Sequence, residues 1–230
     1  MDFYNLGKIG AKAHWEKLHK PIINHIQKNH TYLFKEKARL LGFIMGDGSI
    51  SKLGKPASTQ NHDICFYPDD NQMLSIFLSD FEKLYLKKPK VKNLGKYFSV
   101  RVSSKPACDD LRSFGEFTSL KWELPKKLKS LPEKQEWLRA IFDCEACIGK
   151  RQIQFQSVSQ KGVESIKQVL QEFGIDTKIY IYDRKHINWN LNYILVISKK
   201  ENIVKYKDLI GFNHSKKQEK LKILAGVPER

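Results

Sequence analysis

The chain has 230 residues, 41% hydrophobic and 11% aromatic, so it can bury a substantial core and is not a disordered polypeptide. Lysine and arginine number 41 against 25 aspartates and glutamates, which gives a formal net charge of +16. Such an excess indicates a polyanionic partner. Because the basic residues are spread along the whole chain, we expect nucleic acid rather than a membrane surface.

The sequence gives little indication of a membrane protein or of a zinc-binding protein. No stretch approaches the ~20 apolar residues of a membrane span, and the N-terminal segment lacks the apolar core of a signal peptide, so we expect an intracellular protein. Cys144 and Cys147 form a single CxxC motif, and the other two cysteines are isolated. One pair is too little for a structural zinc site, and four cysteines do not make a disulfide framework at this length.

The first 30 residues are predicted to be a basic N-terminal extension. They carry four histidines among lysines, namely His14, His19, His25 and His30. We expect solvated helix surface there rather than a metal site. The next predicted element is an apolar helix, "LLGFIMGDG" (40–48), whose carboxylate, Asp47, lies at the C-terminal end, where the helix dipole disfavours negative charge.

This helix has a second copy. "LRAIFDCEA" (138–146) repeats the apolar run and ends on Glu145, 98 residues after Asp47. Strand-like "VRVSSK" (100–105) corresponds to "LVISKK" (195–200), and each copy then continues into a short helix. Several features that recur in order at nearly constant spacing indicate a tandem duplication.

Each copy is predicted to fold as αββαββα, which gives an α+β protein with two antiparallel saddle-shaped sheets. The predicted halves are 31–119 and 134–230, the second with a C-terminal helix, joined by a linker at 120–133 that contains two prolines and four lysines. Each half contains an amphipathic helix, and in the second half "RQIQFQS" alternates apolar and polar residues as a half-buried strand does. A central pair of helices, 40–47 and 138–145, is expected to join the halves.

The two acids are expected to meet between the halves. Small residues four apart, Gly42 with Gly46 and Ala140 with Cys144, clear one face of each helix for close packing. Two converging carboxylates repel, and a divalent cation with a preference for oxygen ligands relieves that repulsion. We therefore expect Mg²⁺, which supports phosphodiester hydrolysis. A calcium-binding EF-hand is excluded because the twelfth loop position is Ser58.

Polar strand faces next to this site are predicted to bind double-stranded DNA, because glutamine and arginine can pair with base edges in the major groove. The alternative is an ordinary polar sheet face. The candidate DNA-binding residues are Lys52, Gln60, Lys92, Tyr97, Ser99, Arg101, Lys150, Arg151, Gln152, Gln154, Gln156, Lys178, Tyr180, Tyr182, Arg184 and Lys185.

The paired motifs resemble those of the LAGLIDADG homing endonucleases, most closely the single-chain, intron-encoded archaeal type, and the resemblance covers nearly all of 31–225. It implies a double-strand break with short 3′ overhangs at a long, non-palindromic site, cut by a monomer in an archaeal cytoplasm or an organelle. It also implies that Asp47 and Glu145 are catalytic metal ligands, assisted by the backbone carbonyls of Gly46 and Cys144. Mn²⁺ is expected to substitute for Mg²⁺, and Ca²⁺ to bind without turnover.

The chain departs from that family pattern around the metal site. Pro68 and Asp69 stand where glutamine, lysine or arginine is expected, and Ile148 stands where a lysine would be unsurprising. Candidate substitutes are Lys52, Gln60, Lys150 and Arg151. Two alternatives therefore stay open: a nuclease-inactive relative acting as a DNA-binding regulator or RNA maturase, and a structural nucleic-acid-binding protein without metal.

Overall fold

The structure is a computed structural model that describes residues 3–29, 34–51, 62–183, 185 and 189–226. Within these ranges the chain forms eight helices and eight strands, and two successive segments share the order αββαββα. The predicted mixed α+β class and the predicted repeat are both confirmed.

An N-terminal helix, α1 (Phe3–Asn29), precedes the first repeat and packs against it rather than extending freely into solvent. Ile22 is buried, and the Nε2 atom of His25 lies 2.6 Å from the carbonyl oxygen of Lys83. The side chain of His14 and all of His30 lie outside what the structure describes. No helix in the described ranges is long and apolar enough to cross a membrane.

The first repeat contains one four-stranded antiparallel sheet with the order β1-β2-β4-β3. Its elements are α2 (Phe34–Asp47), β1 (Gly48–Ile50), β2 (Asp63–Phe66), α3 (Asn71–Tyr85), β3 (Lys90–Asn93), β4 (Phe98–Ser103) and α4 (Lys105–Arg112). Alternate residues of β4 face the core, because Val100 and Val102 are buried while Arg101 is exposed.

The second repeat has the equivalent strand order, β5-β6-β8-β7, and ends in an additional helix. Its elements are α5 (Leu131–Glu145), β5 (Ala146–Ile148), β6 (Ile153–Ser157), α6 (Gln160–Glu172), β7 (Lys178–Tyr182), β8 (Asn192–Ile197), α7 (Lys200–Leu209) and α8 (Ser215–Leu224). Identical strand orders in two successive segments agree with the duplication seen in the sequence.

The motif helices α2 and α5 pack on each other along their length, and both are longer than predicted. Helix α5 begins at Leu131 because Ser130 caps it: the Ser130 hydroxyl accepts from the Glu133 amide, and the Glu133 carboxylate accepts from the Ser130 amide. The last three residues of the predicted linker are therefore helical.

The remainder of the predicted linker is packed against the second repeat. Trp122 and Leu128 are buried, and the Trp122 ring lies edge-on to Phe155 at 6.1 Å. A Cβ atom placed on Gly162 would lie 2.5 Å from the Trp122 ring, so the first turn of α6 needs glycine there. This segment joins the halves and also contributes to the core of the second one.

Charged side chains reinforce the contact between the halves. Arg39 of α2 donates to Asp80 of α3 at 2.7 and 2.9 Å and to Glu136 of α5 at 2.8 Å. Glu136 also accepts from Arg139 at 2.7 Å. Because these groups are largely shielded from water, the network holds the two motif helices in one relative position.

Candidate functional site

The motif helices approach each other at residues without bulky side chains. A Cβ atom on Gly42 would lie 2.5 Å from the Trp137 carbonyl oxygen and 2.8 Å from the Ala140 Cβ. One on Gly46 would lie 2.4 Å from the Cys144 Cβ. All three distances are shorter than real Cβ contacts allow, so the crossing depends on glycine at both positions of α2.

This crossing brings Asp47 and Glu145 together. Each is the last residue of its helix and immediately precedes an edge strand of its own sheet, β1 or β5. Both side chains are half-buried. Burial, followed by the negative charge of Asp47, raises the pKa of Glu145 to about 7. The two carboxylates therefore interact directly through space, as expected for converging acids.

The pKa of Asp47 is also raised, and burial is the largest cause. A hydrogen bond from Cys144 and the positive charge of Lys217 act in the opposite direction. The charge of Asp69 raises the pKa of Asp47 and that of His214 lowers it. The groups that act most strongly on Asp47 therefore come from both repeats and from the start of α8, whereas Asp47 and Lys217 are the charges that act on Glu145.

Helix α8 is held against this site by acids from both repeats. Asp143, buried in α5, accepts from the Asn213 amide at 2.8 Å and from the His214 amide at 3.0 Å. Asp70, which caps α3, accepts from the Ser215 amide at 3.2 Å. Carboxylates at a helix N-terminus satisfy its free N–H groups and complement its dipole, so these contacts fix where α8 begins.

Lys217 lies in the first turn of α8 and reaches the end of α5. Its Nζ atom donates to the carbonyl oxygens of Asp143, at 2.5 Å, and Cys144, at 3.1 Å. The Cys144 carbonyl, expected from the sequence as a metal ligand, therefore already has a cation beside it. Its role as a ligand remains a prediction.

His214 is buried beside two acids, 3.4 Å from an oxygen of Asp69 and 3.7 Å from an oxygen of Asp70. Asp69 is one of the residues that stand where a basic or amide side chain was expected. The neighbourhood of the acids thus contains basic groups, but α8 and the residue before it supply them.

The carboxylate pair fits a divalent cation with a preference for oxygen ligands. Two desolvated carboxyl groups repel each other, and a bound cation removes both the repulsion and the burial cost. Within the described ranges, no three His, Cys, Asp or Glu side chains come together as a metal cluster. Asp47 and Glu145 would therefore hold Mg²⁺ together with water and substrate oxygens, which is how Mg²⁺ is commonly bound.

The first sheet presents its predicted DNA-binding residues on its outer side. Lys92 pairs in register with Ser99, and Tyr97, just before β4, is exposed. Arg101 is exposed but not free, because its guanidinium donates to Asp63, which also accepts from the Ser103 hydroxyl. This carboxylate partner of Arg101 was not anticipated.

The second sheet places its glutamines and aromatic residues in two cross-strand rows. Gln154 and Lys178 both pair with Val196, and Gln156 and Tyr180 both pair with Ile194. At the end of this face, Tyr182 pairs with Asn192, which donates to the Gln156 side chain at 3.3 Å.

The other candidates lie in turns or outside the described ranges. The turn between β5 and β6 carries Lys150, Arg151 and Gln152, the first two exposed. Lys185 is exposed, with its amide donating to Asp183 at 2.8 Å. Lys52, Gln60 and Arg184 lie in segments that the structure does not describe.

Sequence reasoning missed the residues that α8 brings to the site. These are Lys217 and His214, together with Asp143 and Asp70, which fix the start of the helix. One signal was present: Asp143 is an additional acid inside the apolar run "LRAIFDCEA". A carboxylate on a buried helix face predicts a partner, although the sequence does not show which segment supplies it.

Family and structure comparisons agree with this architecture. The family model described as the LAGLIDADG-like domain matches residues 132–211, and solved structures of the homing endonuclease I-DmoI share the two-repeat arrangement. The chain has the LAGLIDADG fold. I-DmoI in complex with DNA and Mn superposes with a TM-score of 0.62 at 18% identity, covering 77% of this chain and 97% of that one.

The chain is also similar to other proteins. Full-length DUF199/WhiA from Thermotoga maritima superposes with a TM-score of 0.54 at 15% identity, covering 86% of this chain and 60% of that one. Replication factor C small subunit of Methanocaldococcus jannaschii is 29% identical over 214 residues, and that of Thermococcus kodakarensis 28% over 201. These matches cover 90% and 83% of this chain but 11% and 21% of the relatives.

Proposed function

We propose that this chain is a site-specific DNA endonuclease that cuts both strands in a reaction that requires a divalent metal. The observation that carries the proposal is the meeting of Asp47 and Glu145 at the helix crossing, where each acid immediately precedes an edge strand of its own sheet. One acid from each repeat gives each DNA strand its own carboxylate, and strand breaks offset by a few base pairs produce the short 3′ overhangs.

Double-stranded DNA is the proposed substrate because charge and sheet surface agree. The chain carries a net charge of +16, and both sheets expose basic, amide or aromatic side chains on one side. Solved structures with the same fold include I-DmoI bound to DNA with Mn and with Ca. A long polar surface on two sheets suits the major groove, which admits a β-ribbon.

Asp47 and Glu145 would hold Mg²⁺, with Mn²⁺ as a substitute, and the backbone carbonyl of Gly46 lies next to Asp47 in the chain. When bound, the cation supplies Lewis-acid activation of the phosphate and an acidified water. Asp47 and Glu145 would position the cation between the two repeats, and the ammonium of Lys217 offsets part of their negative charge. In the reaction, a water oxygen forms a new bond to phosphorus as one P–O bond of the backbone breaks. The attacking water gives up a proton, and the leaving backbone oxygen takes one up and departs as a hydroxyl, so that a phosphate monoester and a free hydroxyl end remain.

The target sequence can be identified by selection. A duplex library with a randomised stretch is selected for binding in Ca²⁺, and the selected duplex is then incubated with Mg²⁺. We expect both strands to be cut, and Asp47→Asn or Glu145→Gln to lower the rate at least about 100-fold, because each removes an anionic ligand of the cation that activates the phosphate and the water. Lys216→Gln, on the exposed side of α8, serves as the control. Undiminished cutting by either acid variant would contradict the assignment.

A DNA-binding protein that does not cut is the second candidate. The observation that favours it is that, in the described part of the chain, no third His, Cys, Asp or Glu side chain joins the two carboxylates as a metal ligand. Selection of a specific duplex with no cutting in Mg²⁺ or Mn²⁺ would support this reading. Preference for structured RNA over every selected duplex would indicate a maturase instead.

A further inference from the structure

Helix α8 occupies a fixed place at the seam between the repeats. Asp143 of the second repeat accepts from the amides of Asn213 and His214, which directly precede the helix, and Asp70 of the first repeat accepts from the amide of Ser215, its first residue. The position of the helix therefore depends on both halves. The third residue of the helix, Lys217, is consequently aimed at the C-terminal end of α5. A lysine held this way is not a freely moving surface charge.

The Lys217 ammonium has hydrogen-bonding capacity to spare. It carries three N–H donors. Two of them reach the carbonyl oxygens of Asp143 and Cys144, the last carbonyls before Glu145. Among the described residues its ammonium makes no third hydrogen bond, and the residue is only half-buried, so a ligand can reach it.

Electrostatics places this ammonium at the carboxylate pair. Its positive charge lowers the pKa of both Asp47 and Glu145, against the effect of their burial. The charge of His214 lowers the pKa of Asp47 but is not among the charges that act on Glu145. The contacts of Lys217, by contrast, are all to the end of α5, so the two acids do not have equivalent surroundings.

From these contacts we infer that Lys217 is a phosphate-binding residue of the site and serves the strand cut at Glu145. Its third N–H donates to a non-bridging oxygen of the phosphate held beside Glu145, while the other two keep the ammonium on the end of α5. The inference rests on the proposed endonuclease function. Lys217 would supply the basic group that is expected at Pro68, Asp69 or Ile148. It comes from α8, which lies outside both αββαββα repeats.

The first test measures DNA binding and needs no cutting. Affinity for the selected duplex is compared with and without Ca²⁺ for the wild type, Lys217→Gln, Lys217→Arg and Lys216→Gln. Lys216→Gln removes the same charge one residue away, from an exposed position. We expect Lys217→Gln to weaken binding in Ca²⁺ about 10-fold more than Lys216→Gln does, and Lys217→Arg to stay near wild type, because a phosphate contact needs a charged donor. Equal effects of the two glutamine variants would overturn the inference.

The second test follows each strand separately, with a different label at each 5′ end, in single turnovers with Mg²⁺. Lys217→Gln should slow one strand about 100-fold, and the other much less, so that a nicked duplex accumulates. The slowed strand should be the one most slowed by Glu145→Gln. Equal slowing of both strands, together with a lowered melting temperature, would mean that Lys217 only anchors α8.

The two proposals fail in different ways. If the wild type selects a duplex but cuts neither strand, the endonuclease function is wrong, and the affinity comparison alone decides whether Lys217 contacts phosphate. If the wild type cuts and Lys217→Gln matches Lys216→Gln in both assays, the endonuclease function stands and the inference about Lys217 is wrong.

Discussion

Metal binding at Glu145 can be measured through the proton that its carboxyl group releases. Burial, then the charge of Asp47, raises its pKa to about 7, so near pH 6.5 the metal-free carboxyl is largely protonated. A cation binds the ionised form and must displace that proton. The same reasoning predicts that the cleavage rate rises with pH on either side of pH 7, because a larger fraction of Glu145 is then already ionised when the cation binds.

We therefore predict that Ca²⁺ binding releases about three-quarters of a proton at about pH 6.5 and almost none at about pH 8.5. Titration calorimetry in two buffers of different ionisation enthalpy measures that number directly. Burial also raises the pKa of Asp143 to about 7. The Glu145→Gln variant retains Asp143, so it shows which of the two carboxyl groups releases the proton. Proton release that persists in Glu145→Gln would assign it to another group.

At the residue scale, Arg101 and Asp63 also form an ion pair on the outer side of the first sheet, the side that we propose binds DNA. The guanidinium beside Asp63 holds the pKa of that carboxyl below its usual range, so Asp63 is ionised at neutral pH. An ionised carboxylate on a DNA-binding surface repels phosphates and restricts the directions in which Arg101 can donate. The pair is suited to selectivity more than to affinity.

Accordingly, Asp63→Asn should strengthen binding to unrelated duplexes and reduce discrimination against them, whereas Arg101→Ala should relax the preference at a few positions of one half-site by about 1–3 kcal/mol. Affinities across all single-base variants of the selected duplex provide the measurement. Arg151→Ala, in the other repeat, is the matched control and should affect only the other half-site. A uniform loss in Arg101→Ala would identify a phosphate contact instead.

At the scale of elements, the crossing of α2 and α5 is the contact on which the site depends. Gly42→Ala would place a methyl group 2.5 Å from the Trp137 carbonyl, so the helices must separate. Overpacking of this kind costs about 1–3 kcal/mol, partly offset by up to ~1 kcal/mol from the better helix propensity of alanine.

We predict that Gly42→Ala lowers the free energy of unfolding and weakens Ca²⁺ binding, because the acids at the helix ends move apart. Urea denaturation and calcium titration check the two effects separately. Gly149→Ala is the control, since its new Cβ would lie 3.6 Å from the nearest atom, an ordinary contact. A Gly42→Ala protein as stable as Gly149→Ala would show that the helices do not need this close approach.

The elements also show what the sequence could and could not predict. The repeat, the order of helices and strands within each half and the small-residue face came from periodicity and spacing, which depend on local sequence. Helix α8 closes the site through Asp143 and Asp70, which are 70 or more residues away from it in the chain. The ion pair of Arg101 with Asp63 likewise depends on strand register. Such long-range pairings leave no periodic signal.

For the whole molecule, the duplication has produced two unequal halves. Their strand orders correspond, yet Lys217 of α8 and His214 just before it approach the acids, and the described residues of the first repeat form no equivalent helix after α4. The outer sheet surfaces differ too, with Arg101 paired to Asp63 in one and rows of glutamine with lysine or tyrosine in the other. Identical halves would read a palindrome, since protein symmetry is mirrored in the binding site.

We predict that the selected site is non-palindromic and that one chain occupies one duplex, because a single chain supplies both acids and both sheets. The half-site under the second sheet should rest more on adenines, which glutamine recognises in the major groove. Sedimentation of the complex gives the stoichiometry, and alignment of the selected duplexes gives the symmetry of the site. Binding should also weaken about 10³-fold or more between 50 and 200 mM salt if six or more basic side chains meet phosphates. Two chains per duplex, or a symmetric consensus, would mean that the two repeats do not share one DNA site.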